Sequence, residues 1–177
     1  MRTSPFLLPT YGLLTLLLTA CGTDGSDNQA LAPVAAENWA RRAVDLSPSD
    51  SLERGITYLS SYSVIYARSE DRKMSLTGTI SMRNINPRDT VFIERAEYHQ
   101  TDGQLTRSYF ERPIYLAPLE TVEIIITEED VTGGTGDNFM FYWARKPGTH
   151  DPFFEGVFIT IYGQQGISFT TRGIRVE

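Results

Sequence analysis

A single cysteine and two histidines are all that this chain of 177 residues offers as soft metal ligands. Cys21 stands near the start and His99 and His150 lie far apart, so no Cys/His zinc spacing can be assembled. Basic residues are also in short supply: 16 Lys and Arg face 22 Asp and Glu, for a formal net charge of −6, and no basic run occurs. Nucleic acid is thereby excluded as a partner, because phosphate binding needs clustered cations that displace counterions. A polybasic membrane patch is excluded for the same reason.

Long apolar runs are missing too. The apolar stretch from Phe6 to Leu18 is interrupted by Pro9 and Gly12, and it falls short of the roughly 20 residues that a membrane-spanning helix needs. No amphipathic helical pattern separates the apolar segments further on, which excludes a parallel βαβ architecture. No Gly-x-Ser-x-Gly elbow fixes a nucleophile. The loop Thr132-Gly133-Gly134-Thr135-Gly136-Asp137-Asn138 ends without the Gly-Lys-Ser/Thr of a phosphate loop and leads into no helix. Either histidine could serve a Ser-His-Asp site, yet nothing local pairs one with a nucleophile. The expectation is a non-enzymatic chain with no cofactor.

What is present begins with a targeting pattern. Arg2, the apolar stretch and the small residues Thr19-Ala20 have the layout of a secretory signal. Leu18-Thr19-Ala20-Cys21 resembles the bacterial lipobox, which implies cleavage before Cys21, acylation of its thiol, and the lipid bilayer as a partner of the acylated Cys21. Acyl chains contribute about 0.8 kcal/mol per buried CH₂, so two or three of them hold a protein on a membrane. Gly22 stands where an Asp would resemble the inner-membrane retention signal. The outer membrane, facing the periplasm, is therefore the destination expected in a Gram-negative cell.

Three stretches follow: residues 1–20 as the signal, 21–54 as the lipidated cysteine and a polar tether with a short helix between Pro33 and Asp45, and 55–177 as one domain. Hydrophobic residues at 41% and charged residues at 21% describe an ordinary globular chain, and the length suits a single core.

Past Gly55 the texture is that of strands. Ile56–Tyr66 reads as a first strand. Met74, Leu76, Gly78, Ile80 and Met82 alternate with Ser and Thr in a second. Val91–His99 and Leu105–Phe110 flank Thr101-Asp102-Gly103, a hairpin signal. Ile114–Leu116, Thr121–Thr127, Phe139–Ala144, Val157–Tyr162 and Ile167–Val176 follow. Seven or eight antiparallel strands predict an all-β, immunoglobulin-like sandwich, with a small β-barrel as the alternative. Phe139, Phe141 and Trp143 share one face, and both faces of Val157–Tyr162 are apolar, so these two segments are expected at the centres of their sheets.

Two regions are candidates for binding. One is the glycine loop, through Gly133, Gly134, Gly136, Asp137 and Asn138. The other is the segment from Gln164 to Gly173, through Gln165 and Arg172. Glu128, Glu129, Asp130 and Asp137 supply oxygen atoms of the kind Ca²⁺ takes, though not at EF-hand spacing.

Five strings carry a family resemblance: Tyr62-Ser63-Val64-Ile65-Tyr66; Ser81-Met82-Arg83-Asn84; Tyr98 with Thr101-Asp102-Gly103; Gly133-Gly134-Thr135-Gly136-Asp137-Asn138-Phe139; and Gln165-Gly166-Ile167-Ser168-Phe169-Thr170-Thr171-Arg172-Gly173. Through them the chain resembles a family of bacterial lipoproteins known as domain of unknown function 3124. The resemblance implies a single envelope domain and supplies no catalytic residue or ligand. The expected role is a membrane-tethered module that binds an envelope protein, with a small-ligand or Ca²⁺-binding lipoprotein as the alternative.

Overall fold

The computed structural model describes residues 37–47 and 50–177. The signal segment, the lipobox Leu18-Thr19-Ala20 and Cys21 lie outside the described residues. Of the expected tether helix one turn is described, α1 at Trp39–Arg42, and Ala43 ends it in an extended conformation. Trp39 sets its ring against Phe110 with centroids 5.4 Å apart. The Val44 N–H donates to the Pro113 carbonyl at 2.8 Å, which ties this segment to the domain.

Beyond it, twelve strands are formed among the described residues: β1 Glu53–Ser60, β2 Val64–Ala67, β3 Ser69–Ser75, β4 Thr77–Arg83, β5 Val91–His99, β6 Leu105–Ser108, β7 Ile114–Leu116, β8 Thr121–Ile126, β9 Asn138–Arg145, β10 Phe153–Tyr162, β11 Gln165–Arg172 and β12 Ile174–Arg175. One sheet runs β12-β1-β9-β5, with β6 and β7 both on the outer edge of β5. The other runs β11-β10-β4-β8, and β2 with β3 makes a separate ribbon. Every pairing is antiparallel and the sheets do not close, so the fold is a β-sandwich and the barrel is set aside.

β9 and β10 each sit between two neighbours. Leu59, Ile93, Phe139, Phe141 and Trp143 from the first sheet face Ile80, Met82, Phe154 and Phe158 from the second, all of them buried. Phe141 stacks on Phe154 across the layers at 4.2 Å and on Phe139 at 5.5 Å. Each such side chain contributes roughly 1.5–3 kcal/mol through removal from water. The Trp143 indole N–H finds the Thr57 hydroxyl at 2.9 Å, so its burial leaves no donor unmade. On the outward face of β10, Ile159 and Ile161 are exposed among the described residues.

The strands outnumber the expected seven or eight: all nine segments named from the sequence, Ile114–Leu116 included, hold strands, and three of them are each divided. Ile56–Tyr66 breaks at Ser61–Ser63, where both serine side chains turn into a buried polar cluster. The Met74–Met82 alternation breaks at Leu76, which is fully buried and donates its N–H to the Ser63 carbonyl at 2.9 Å. Ile167–Val176 breaks at Gly173: its N–H still bonds the Phe154 carbonyl at 2.9 Å, whereas Ile174 already pairs with Tyr58 of the opposite sheet. Period-two alternation does not register a change of partner sheet.

Candidate functional site

Two polar regions meet at the root of the β2–β3 ribbon, and they are built differently. The first is a buried clasp around Asp137. Its Oδ2 accepts the Ser63 N–H at 2.8 Å, the Ser63 hydroxyl at 2.5 Å and the Tyr98 hydroxyl at 2.9 Å; its Oδ1 accepts the Ser61 hydroxyl. The Ser63 and Tyr98 oxygens are themselves 2.7 Å apart. Asp137, Ser61, Ser63 and Tyr98 are all fully buried.

Backbone bonds complete the clasp. The Ser61 N–H donates to the Asp137 carbonyl at 2.8 Å and the Val64 N–H to the Gly134 carbonyl at 3.1 Å. The Thr101 N–H and hydroxyl both donate to the Gly133 carbonyl at 3.0 Å. Gly133 has no substitute here, since a Cβ would collide with the Tyr98 hydroxyl oxygen and the Asp137 carboxylate. Burial pushes the Tyr98 phenol well above its ordinary range, and the nearby Asp137 carboxylate adds to the rise. The phenol is therefore a neutral donor at physiological pH. Bonded by protein donors at both oxygens and fully buried, this carboxylate joins the end of β1, the β5–β6 hairpin and the start of β9.

The glycine-loop candidates thus lie in or beside a structural joint: Gly133 and Asp137 are buried, Gly136 donates to Thr101 at 3.0 Å, and Asn138 opens β9 opposite Ser60 and His99. The oxygen ligands considered for Ca²⁺ are dispersed among separate partners. Asp130 accepts from Arg107 at 2.9 Å and from the Thr132 N–H at 3.3 Å. Glu128 and Glu129 are exposed after β8, with Glu129 held below the usual carboxylate range by a backbone N–H and the Thr127 hydroxyl. No group of three or more His, Cys, Asp or Glu side chains poised around a metal occurs among the described residues.

The histidines are likewise placed apart. His99 sets Nδ1 3.2 Å from the Gly103 carbonyl and Nε2 3.7 Å from the Glu97 carboxylate. His150 is exposed, and its backbone N–H and carbonyl bond the side chain of Asn86. Asn86 in turn leans on Asn84, whose amide donates to the carbonyls of Asp89, Leu116 and Ala117. The Ser-Met-Arg-Asn string therefore also ends in a structural joint.

The second region is a groove of about 840 Å³ between the ribbon and the tip of the β10–β11 hairpin. On the ribbon side it is lined by Ile65, Tyr66, Ala67, Arg68, Asp71, Arg72, Lys73 and Met74; Gln165, Gly166 and Ile167 form the other wall. The ribbon register orders these side chains. Ile65 packs against the core opposite Met74, Tyr66 pairs with Lys73 one residue further toward the tip on the alternate face, and Arg68, Asp71 and Arg72 stand at the tip. On the hairpin, Gln165 stands beside the turn and Ile167 two positions further along β11. Arg68, Arg72 and Lys73 pair with no carboxylate among the described residues, whereas Arg145 and Arg175 share Asp151 at 2.6 and 3.0 Å. The Lys73 ammonium lies 5.3 Å from the Tyr66 ring centroid. Tyr66 is 56% exposed and Ile167 is 40% exposed. Of the sequence candidates, Gln165 lies on this groove and Arg172 does not, because Arg172 sits at the far end of β11 opposite Glu155.

Sandwich, clasp and groove together define a single β-sandwich domain with a ribbon-walled groove at one end. A family model described as "Protein of unknown function (DUF3124)" matches residues 54–176, and the chain belongs to that family. No curated protein matches it. Among solved structures it is similar to one titled "Crystal Structure of Thermotoga maritima 1070", at 8% identity over 68% of this chain and 92% of that one, with a TM-score of 0.42.

Proposed function

We propose that this chain is an exported lipoprotein, held to a membrane through acylated Cys21, whose sandwich is a non-enzymatic binding module of the cell envelope. Its binding surface is the groove between the ribbon and the β10–β11 hairpin. One observation carries the reading: the clasp spends its polar groups on the fold, while the groove keeps cations that have no carboxylate partner among the described residues, beside exposed apolar side chains. Its volume lies within the roughly 300–1,000 Å³ of small-molecule sites, which favours a ligand over a broad protein interface as what the module holds. In a Gram-negative cell the destination is the outer membrane, on its periplasmic side.

The test is metabolic labelling with tagged palmitate and membrane fractionation of the full chain, wild type against Cys21→Ala. The expected result is label and outer-membrane recovery for the wild type, with both lost in the variant. An unlabelled wild type, or a turnover activity that vanishes with one polar side chain, would overturn the proposal.

A further inference from the structure

We infer that the groove holds an anionic lipid, its acyl chain directed toward the core and its carboxylate or phosphate at the ribbon tip. This deepens the membrane-tethered reading and rests on it, since the bilayer is the source of the lipid. The argument is the order of side chains along the two walls. At the ribbon root Ile65 packs against the core with Met74 opposite it; at the tip stand Arg68 and Arg72, and across the groove Ile167 and Gln165 line the hairpin wall.

Apolar side chains at the root grading into cations that pair with no carboxylate among the described residues is the chemistry of an amphiphile site. An acidic peptide would engage the cations at the tip and leave the apolar side chains at the root uncovered. Two guanidinium groups and one ammonium suit an oxyanion head, the former through two-pronged hydrogen bonds. Asp71 is the one carboxylate on the lining and works against the anion, so the lining keeps an excess of positive charge in a chain whose net charge is −6. The apolar walls contribute through burial of the chain, at about 0.8 kcal/mol per CH₂.

The experiment uses the full chain in membranes of expressing cells and a palmitate analogue carrying a photoreactive diazirine near its tail. Its uncharged methyl ester serves as the paired probe. Irradiation followed by peptide mapping is expected to place the label on the segments containing Ile65, Met74 and Ile167. Labelling should be at least about tenfold stronger with the acid than with the ester, equivalent to about 1.4 kcal/mol. The triple variant Arg68→Gln/Arg72→Gln/Lys73→Gln should lose that preference while remaining acylated, membrane-bound and as resistant to urea as the wild type. A photoreactive phosphatidic acid that labels the same segments supports the same site.

Equal labelling by acid and ester, label confined to other segments, or displacement of the label by oligoglutamate and not by unlabelled palmitate would overturn the inference. Acylation and fractionation of the same samples keep the two claims apart. A wild type that is unacylated and soluble sinks the tethered reading, whereas a tethered wild type without head-group preference sinks the lipid site alone.

Discussion

The clasp at Asp137 and the groove at Arg68–Met74 adjoin at Ser63 and Val64, yet they treat polar groups in opposite ways. In the clasp a carboxylate is removed from water and compensated by three hydroxyls and a backbone N–H. In the groove, the cations are exposed and pair with no carboxylate among the described residues, and Tyr66 and Ile167 are exposed beside them. Burying a charged group is tolerated only with a full set of partners, so the clasp is a place where substitution unfolds the chain. An exposed cation contributes little to folding, so its placement is free to serve a ligand. Local composition does not tell the two apart; the partners do.

The largest effect that would break this contrast is in the clasp. Asp137→Ala strands three hydroxyls and the Ser63 N–H in a buried space, with an expected loss of about 3–5 kcal/mol in urea unfolding of the full chain. Gly133→Ala forces the Tyr98 hydroxyl and the Asp137 carboxylate apart and is expected to cost about 3 kcal/mol. A loss under about 1 kcal/mol in both would show that the joint is not structural.

Tyr98→Phe is next, at about 1–2 kcal/mol near neutral pH. Burial raises both Tyr98 and Tyr109, so the folded state prefers the neutral phenols. Their contribution is whole below the unfolded value near pH 10 and is lost as pH rises from there toward the raised folded values. Stability measured through that window should fall more gently in Tyr98→Phe than in the wild type, and parallel curves would contradict the assignment.

Smaller again is Asp130→Asn. Burial works against the Asp130 charge, yet bonds from Thr132 and Arg107 hold the carboxyl below its usual range. The pair is expected to contribute under about 1 kcal/mol, present above about pH 4 and fading as the pH falls further. The smallest effect belongs to the groove: Arg68→Gln, Arg72→Gln and Lys73→Gln should each shift stability by no more than about 0.5 kcal/mol.

Much of the sandwich is legible in the sequence because alternation reports which side chains share a face. Val91–His99 emerges with the same bounds, and the Thr101-Asp102-Gly103 turn closes its hairpin with Gly103 at φ +85°. The divisions at Ser61–Ser63, Leu76 and Gly173 are not legible, since each depends on which sheet the next residue joins. The clasp was spelled out without being assembled. Ser63, Tyr98, Gly133 and Asp137 all stand in the strings that carry the family resemblance, but Ser63 and Tyr98 are 74 and 39 positions from Asp137, beyond any local pattern.

Of the groove, the hairpin wall is legible through Gln165, whereas the ribbon wall is not. Its one signal was the stretch Arg68–Lys73, charged at five of its six positions between two alternating segments. That is what a ribbon tip standing clear of the core looks like. Reading Ile56–Tyr66 as one strand hid it, because the ribbon then had no root.

Hydrogen exchange of the lipidated full chain, with and without added palmitate, tests the division between clasp and groove most directly. The amides of Ser61, Ser63, Val64 and Thr101 should open only with global unfolding in both conditions, while those of Tyr66–Met74 should exchange readily alone and slow when palmitate is present. Fast exchange in the clasp that slows with palmitate, beside an unchanged ribbon, would contradict the account.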